Sequence, residues 1–279
     1  MRIDPPGIFR DRYLVPSYDV DSTYRANLNF FFKLIQDVAG NHSHLKGCSL
    51  PMLRTEGKTW VITRTVLDIR RYPYWPQYVD VATLPLEYAG YNAPRGVVIS
   101  LDGEEIARSF SNWCVLDIDN GHRPVRPDFL SVRMPPVSAQ DDPYGFGSRR
   151  PKAETYDSVP DLKQLCVFRP RMGFLDSDYN GHINNISYLN AIVDALPRDY
   201  LVSHLVSRVD ISWLKETYLE DDLTVYIGSA DPQAFTADGA ELFARISRRT
   251  QDGEETVCNA SLTVRTCPEK QRSASGDNL

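Results

Sequence analysis

One short stretch in the second half of the chain gathers polar residues that could do chemistry together. Its six members are Asp176, Asp178, Asn180, His182, Asn184 and Asn185. Asn and Asp are common at turns and helix N-caps, so Asn184 or Asn185 is open to interpretation as a cap. A cap does not explain an Asp, an Asn and a His at spacing two. If this stretch is extended, its alternate residues point to one side, and Asp178, Asn180 and His182 then face a common space.

Catalysis is physically reasonable at this place because a helix is predicted to begin there. Free backbone N–H groups and the positive end of the helix dipole stabilise developing negative charge. Water that attacks an acyl group creates an oxyanion, which such donors can hold. A nearby His or carboxylate can remove the proton from that water. The stretch therefore favours a functional role, and these residue types fit attack of water on an acyl group.

Other common catalytic motifs are missing from the sequence. It has no G-x-S-x-G nucleophile elbow, no G-x-x-x-x-G-K-[ST] phosphate loop and no dinucleotide fingerprint. Two histidines in Asn41–His44 could suggest a metal, but neither H-E-x-x-H nor cysteine partners accompany them. We interpret that segment as a polar helix end, where the dipole favours His. We predict no metal and no cofactor.

The net charge of the chain indicates which kinds of molecule it can bind. The 279-residue chain carries a net charge of −6, which argues against nucleic acid because phosphate binding needs a basic surface. An acidic protein could still bind a local basic patch. The candidate patches are Arg149–Lys152, Arg70–Arg71 and Arg248–Arg249. For each of them, a solvated surface is the more ordinary interpretation.

Cysteine usage and hydropathy predict a cytoplasmic protein. The five cysteines are odd in number and no pair has C-x-x-C spacing, which favours reduced thiols over disulfides or a zinc site. Residues 1–7 contain no apolar run typical of a signal peptide. No stretch approaches 18 apolar residues, so we expect no membrane association.

The two halves of the chain follow a similar plan of strand, helix and further strands. After a strand at Tyr13–Tyr18, a helix is predicted with one apolar face, and Gly40 is a plausible stop. That face consists of Leu28, Phe31, Phe32, Ile35 and Val38. In the second half, a strand at Leu165–Phe168 precedes a helix from about Asn184 to Leu196, where Pro197 limits continuation.

Matching strands follow each helix and support a duplication. Thr59–Ile69 in the first half corresponds to Leu205–Trp213 in the second. The last two strands of each half flank the same tetrapeptide, at Asp102–Glu105 and at Asp252–Glu255, and Asp-Gly is a strong hairpin signal. We therefore predict an α+β fold of two similar units, in each of which an antiparallel sheet wraps a helix.

Composition also suggests where the units end. We predict a first unit at 1–132 and a linker rich in Pro, Gly, Ser and charge at 133–163, crossing the surface. A second unit is expected at 164–267, and a polar, disordered tail at 268–279.

At these residues the sequence resembles the acyl-acyl carrier protein thioesterases, plant plastid enzymes with bacterial relatives. Arg70–Trp75 is similar to the family's basic-Tyr-Pro-x-Trp segment, and Ser111–Val115 resembles the end of its first unit. The most specific match is Asp178–Tyr188, which resembles D-x-N-x-H-x-N-N-x-x-Y. The resemblance extends from about Tyr13 to Thr266 and implies two tandem hotdog units, each a long helix wrapped by an antiparallel sheet.

The resemblance also implies a catalytic set. The family's Asp, Asn and His fall on Asp178, Asn180 and His182, and a further acidic position falls on Glu216. The next residue is Thr217, where plant members often have Cys, so the resemblance does not support a Cys–His nucleophile here. Gly181 stands where plant members often have Gln.

The first half lacks this set, which implies one active site per chain. By resemblance the first half shapes the acyl pocket. Phe31 and Phe32 are expected to bind the acyl chain there, although an aromatic helix face is more often plain core. Asn184 and Asn185 complete the expected substrate-binding residues.

These expectations together predict hydrolysis of a fatty acyl-acyl carrier protein to free fatty acid. Either Glu216 or His182 would activate water, Asn180 would orient His182 or the substrate, and Asp178 would position the reacting group. The alternatives are an acyl-coenzyme A thioesterase, a hotdog dehydratase and a non-catalytic acyl-binding protein. The expected partner is an acyl carrier protein, and a homodimer stays open.

Overall fold

The structure, a computed structural model, describes residues 1–147 and 151–267 and divides into two compact units. The first unit comprises Met1–Pro151 and the second Lys152–Leu279. Both are α+β units in which a helix packs on an antiparallel sheet. The α+β class and the hotdog units predicted from the sequence are confirmed.

The sheet of the first unit has the strand order β1-β2-β4-β5-β6-β3, and β7 pairs with the far end of β6. Its strands are β1 (Arg2–Asp4), β2 (Ile8–Leu14), β3 (Lys58–Ile69), β4 (Tyr78–Pro85), β5 (Asn92–Leu101), β6 (Glu104–Asp117) and β7 (Arg123–Val125). Its helices are α1 (Leu28–Leu45) and α2 (Leu50–Arg54), with a 3-10 turn at Pro127–Leu130. The strand expected at Tyr13–Tyr18 begins earlier and ends at Leu14, two residues before Pro16, which has no N–H for the ladder.

Helix α1 packs against β2 and β4 through the apolar face predicted for it. Phe31, Phe32, Ile35 and Val38 are all at most 1% exposed. The stop predicted at Gly40 is wrong, because the helix continues to Leu45 and ends where Gly47 adopts a φ of 69°. A left-handed residue after the last turn is what terminates a helix, and Gly40 does not adopt that conformation.

The last turn of α1 contains the two histidines noted in the sequence, as expected for a polar helix end. His42, however, is fully buried and stacks on Phe9 of β2, with ring centroids 5.5 Å apart. Its Nδ1 lies 3.1 Å from Nη1 of the buried Arg95, which must be the donor because a guanidinium has no acceptor. Burial, with help from Arg95 and Lys46, lowers the pKa of His42 to about 2. His42 is therefore a neutral core residue at physiological pH.

The second unit repeats the plan with fewer strands, in the order β9-β12-β11-β10-β8. Its strands are β8 (Lys163–Phe168), β9 (His204–Trp213), β10 (Leu223–Ser229), β11 (Glu241–Thr250) and β12 (Gly253–Thr266). Its helices are α3 (Asn185–Asp194) and α4 (Arg198–Ser203), with a 3-10 turn at Phe174–Asp176. Helix α3 packs on β10 and buries Tyr188, Leu189 and Ile192.

Both Asp-Gly hairpins form where the repeated tetrapeptide predicts them. Asp102 and Gly103 have φ of 53° and 83° between β5 and β6, and Gly253 has φ of 130° at the start of β12. Positive φ at both central residues is the requirement of a type I′ turn, which explains Asp-Gly at the first hairpin.

The first part of the segment predicted as a linker, 133–163, is packed against the first unit. Met134, Val137 and Phe146 are each 2% exposed and join the core of the first unit. Phe146 lies so close to Gly96 that a Cβ there would approach its ring to 2.4 Å. The first part of this segment therefore packs into the first unit, because it carries apolar side chains among its polar ones. Arg149, Arg150 and the tail 268–279 lie outside the described residues. In the part of the chain that the structure describes, no helix is long and apolar enough to cross a membrane.

Candidate active site

The polar stretch singled out in the sequence forms a tight loop between β8 and α3, shaped by Asp178. Its Oδ1 accepts the backbone N–H of Asn180 at 2.7 Å and that of His182 at 3.3 Å. Its own backbone N–H donates to the carbonyl of His182 at 2.8 Å. Asn180 Nδ2 lies 3.4 Å from Asp178 Oδ2. The carboxylate thus holds the loop that presents Asn180 and His182.

The stretch is not extended, so the condition for a shared side through alternation is not met. Gly181 has φ of 77° and its N–H bonds to the carbonyl of Asp178 at 3.0 Å, so the chain turns back instead of running straight. An Asp side chain that accepts backbone N–H groups two and four residues ahead competes with an extended strand. Gly at the turn permits the left-handed φ without strain.

Helix α3 begins directly after this loop, and its N-terminal donors are mostly occupied. Asn184 is the N-cap and accepts the N–H of Ile186 at 2.9 Å, so its cap interpretation is confirmed. The N–H of Asn184 donates to Asp176, and that of Ile183 to Thr217. Within residues 1–147 and 151–267, the N–H of Asn185 has no acceptor. It is the first donor at the positive end of the helix dipole.

Glu216 approaches the loop from the turn after β9. Its Oε2 lies 3.8 Å from Nδ1 of His182, and the two side chains are 58% and 27% exposed, respectively. Both groups are thus open to solvent and to a substrate. The four residues implied by the resemblance to be catalytic therefore come from two separate segments that the second unit brings together.

Tyr218 links these two groups and was not singled out from the sequence. Its hydroxyl donates to Glu216 Oε1 at 3.3 Å, and its ring meets the His182 ring at 90° with centroids 5.1 Å apart. Burial and the charge of Glu216 raise the pKa of Tyr218, so the hydroxyl keeps its proton at neutral pH. Its position two residues after Glu216 is the only signal in the sequence.

The turn that carries Glu216 is tied to the sheet by Arg248. This guanidinium contacts the carbonyl of Glu216 at 3.3 Å, Asp221 at 3.2 Å and Glu255 at 2.5 Å. Lys215 also pairs with Glu255. Arg248 was expected on a solvated surface or in a docking patch, but it is 22% exposed and neutralised by these carboxylates.

Thr217, which stands where plant members often have Cys, is fully buried. Its Oγ1 lies 2.6 Å from the hydroxyl of Tyr188, and its carbonyl accepts the N–H of Ile183. Thr217 therefore braces the start of α3. The cysteines of the described residues are all unpaired, and burial raises the pKa of Cys258.

Phe31 and Phe32, expected to bind the acyl chain, lie on α1 in the first unit. Both are at most 1% exposed, and Phe31 packs edge-to-face on Tyr72 at 5.2 Å. They serve as core residues of that unit, and their role toward a substrate stays a prediction.

Two family models match the chain and together cover most of it. The acyl-ACP thioesterase N-terminal domain matches residues 6–131, and the acyl-ACP thioesterase C-terminal domain matches residues 162–265.

Curated proteins of similar sequence come from plants. The chain is 24% identical over 226 residues to the chloroplastic oleoyl-acyl carrier protein thioesterase of Coriandrum sativum, covering 76% of this chain and 60% of that protein. It is 24% identical over 278 residues to the chloroplastic palmitoyl-acyl carrier protein thioesterase of Arabidopsis thaliana, covering 92% and 66%. The chain thus spans about 60% of the length of the first of these relatives.

Solved structures share the fold at low sequence identity. An acyl-ACP thioesterase from Bacteroides thetaiotaomicron superposes with a TM-score of 0.74 at 18% identity, covering 92% of this chain and 98% of that one. A 12:0-ACP thioesterase from Umbellularia californica gives 0.73 at 17% identity, covering 93% and 98%.

Proposed function

Since the chain belongs to the acyl-ACP thioesterase family, we propose that its second unit hydrolyses a fatty acyl-acyl carrier protein to free fatty acid and carrier protein. The observation that carries this proposal is the approach of His182 to Glu216, 3.8 Å apart at the start of a helix. The relatives' names, which specify oleoyl- and palmitoyl-acyl carrier protein, support this substrate class.

In the proposed mechanism, Glu216 or His182 removes a proton from water that attacks the thioester carbonyl. Either group can do so, because both are partly open to solvent and adjacent. The N–H of Asn185 is our choice for the donor that holds the oxyanion, aided by the dipole of α3. The tetrahedral intermediate then collapses, the C–S bond breaks, and the thiolate of the carrier arm takes a proton from the general base.

The remaining residues position these groups. Asp178 holds the loop through its two backbone hydrogen bonds, and Asn180 is placed by Asp178 to orient the substrate or His182. Thr217 is buried and bonded to Tyr188, which supports direct attack by water instead of a covalent nucleophile at that position.

An acyl-coenzyme A thioesterase is the nearest alternative, because the same groups would hydrolyse any acyl thioester. A non-catalytic acyl-binding protein and a dehydratase are further alternatives. We infer a cytoplasmic location from the unpaired cysteines of the described residues, whereas the plant relatives are chloroplastic. A homodimer stays a proposal.

Purified protein offered matched acyl-carrier-protein and acyl-coenzyme A panels of medium and long chains tests the proposal. We expect release of free thiol and of free fatty acid, with preference for the carrier protein. Preference for coenzyme A would favour the nearest alternative. Binding of fatty acid without turnover would favour a binding protein, and loss of water from a 3-hydroxyacyl chain without thiol release would identify a dehydratase.

A further inference from the structure

An exposed apolar turn lies directly before the candidate catalytic loop. Phe174 and Leu175 form the 3-10 turn after β8, and they are 82% and 95% exposed. Tyr179, inside the loop itself, is 63% exposed. Adjacent large apolar side chains held in water favour contact with another surface.

Hydrogen bonds hold this turn in place. Asp176 Oδ2 accepts the N–H of Gly173 at 2.7 Å, and Ser177 Oγ donates to the carbonyl of Phe174 at 2.7 Å. Asp176 also accepts the N–H of Asn184 through its carbonyl, and Ser177 bridges to Ile183. The apolar pair is thus fixed to the same backbone that carries His182 and the start of α3.

Two exposed arginines precede this turn. Arg169 and Arg171 are exposed and form no ion pair within the described ranges 1–147 and 151–267. The carboxylates closest in sequence, on Asp176 and Asp178, face backbone N–H donors of their own loop. A local positive surface therefore borders the apolar turn.

The candidate patches at Arg70–Arg71 and Arg248–Arg249 differ in this respect. Arg70 pairs with Glu105 at 3.3 Å and Arg71 with Glu104 at 3.1 Å. Arg248 faces Asp221 and Glu255. Of these three sites, the segment at Arg169 and Arg171 is therefore the one with positive charge available to an acidic partner.

We propose that Arg169, Arg171, Phe174 and Leu175 form the surface on which an acidic carrier protein docks, so that its acyl arm enters beside His182. This docking surface rests on the proposed function, which requires a carrier partner. An acidic protein that also carries exposed apolar side chains would contact both the two arginines and the apolar pair. Coenzyme A is not a protein and offers no apolar surface of this kind to Phe174 and Leu175. Opposite charge would speed encounter, and apolar burial would slow dissociation.

Two double variants separate the charge from the apolar contact. One is Arg169→Glu with Arg171→Glu, and the other is Phe174→Ala with Leu175→Ala. The matched control is Arg198→Glu with Val202→Ala on α4, where Val202 is 64% exposed. This helix follows the far end of the ten-residue α3, about 15 Å from the start of that helix.

Each variant is assayed with an acyl-carrier protein and with the same acyl chain on pantetheine alone. We expect KM for the carrier substrate to rise about tenfold or more in both docking variants, which corresponds to about 1.4 kcal/mol. Turnover of acyl-pantetheine and the kcat for both substrates should stay within about twofold of wild type, because the catalytic groups are untouched. Added salt should weaken carrier use by the wild type and not by the charge-reversed variant.

Binding of fluorescently labelled holo-carrier protein to each variant gives a readout independent of turnover. Carrier affinity that is equal in the docking variants, the control and wild type would overturn the proposal, even if thioesters are hydrolysed. So would an equal loss on both substrates, which would indicate a structural role. A change of oligomeric state on sedimentation with unchanged carrier affinity would reassign the surface to a second copy of the chain. Carrier binding that depends on these residues without hydrolysis of any thioester would uphold docking and contradict the proposed function alone.

Discussion

The buried His42 makes stability depend on pH in a way that can be worked out in advance. In the folded chain, burial lowers the pKa of His42 from 6.5 to about 2, and the positive charges of Arg95 and Lys46 add to this shift. Below pH 6.5 the unfolded chain therefore binds a proton at this residue that the folded chain does not. Stability from neutral His42 is fully present above pH 6.5 and declines as the pH falls below it.

The size of the stability loss follows from the pKa shift of His42. Each pH unit below 6.5 removes about 1.36 kcal/mol until the folded pKa is reached, so moving from about pH 7.5 to about pH 5 removes roughly 2 kcal/mol. A folded pKa anywhere below about 4 gives nearly the same loss over this range, because His42 stays neutral at pH 5 in every such case.

Urea unfolding at both pH values, followed by tryptophan fluorescence, measures the effect. His42→Asn keeps an acceptor for Arg95 near the position of Nδ1 and cannot take up a proton, so it should lose roughly 2 kcal/mol less than wild type between the two pH values. Other titrating groups cancel in that difference. His44→Asn, at an exposed position of the same turn, should behave as wild type.

Parallel pH curves for wild type and His42→Asn would refute this reasoning. If His42→Asn fails to fold, the ring of His42 in the wild type decides the matter by NMR. It should remain neutral at about pH 5, with the proton on Nε2, because Nδ1 accepts from Arg95. A titration near pH 6.5 would show that burial does not hold it neutral.

Three further substitutions test the loop and its supports. Tyr218→Phe keeps the ring against His182 but removes the donor to Glu216, so kcat should fall about two- to tenfold in a fully folded variant, as expected for one lost hydrogen bond; an unchanged kcat would exclude Tyr218 from positioning. Gly181→Ala meets no atom within 4 Å, so only the left-handed φ of 77° opposes it, and denaturant unfolding should show a loss of about 1–2 kcal/mol. Thr217→Val leaves the buried hydroxyl of Tyr188 without its 2.6 Å partner, which should cost about 1–3 kcal/mol in the same assay, and a neutral effect would contradict the bracing role.

Local periodicity is strong enough to predict the main elements. The apolar face of α1 and the two Asp-Gly hairpins follow from spacing and turn chemistry alone, and the structure has them where expected. The stop predicted at Gly40 was wrong because Gly40 lacks the positive φ with which a glycine terminates a helix. Helix α1 continues five residues further, to Leu45, and Gly47 then adopts that conformation.

The residue types of the site were visible in the sequence, but its geometry was not. The sequence spacing of Asp178, Asn180 and His182 is compatible with either a strand or a loop. The loop forms because the carboxylate of Asp178 accepts the backbone N–H groups of the other two residues. Glu216 is distant in sequence from His182, and its approach depends on the tertiary fold. Tyr218 and Arg248 carry no local signal for the same reason, since their roles arise from contacts with that turn.

The most direct test of the central claim is thiol release from an acyl-carrier protein by wild type, His182→Ala and Glu216→Gln under saturating substrate. Loss of a general base usually lowers kcat roughly 10²- to 10⁴-fold, and we expect at least one variant to show a loss of that size while folding as wild type. Less than about a tenfold loss in both variants would contradict the assignment of the active site to His182 and Glu216.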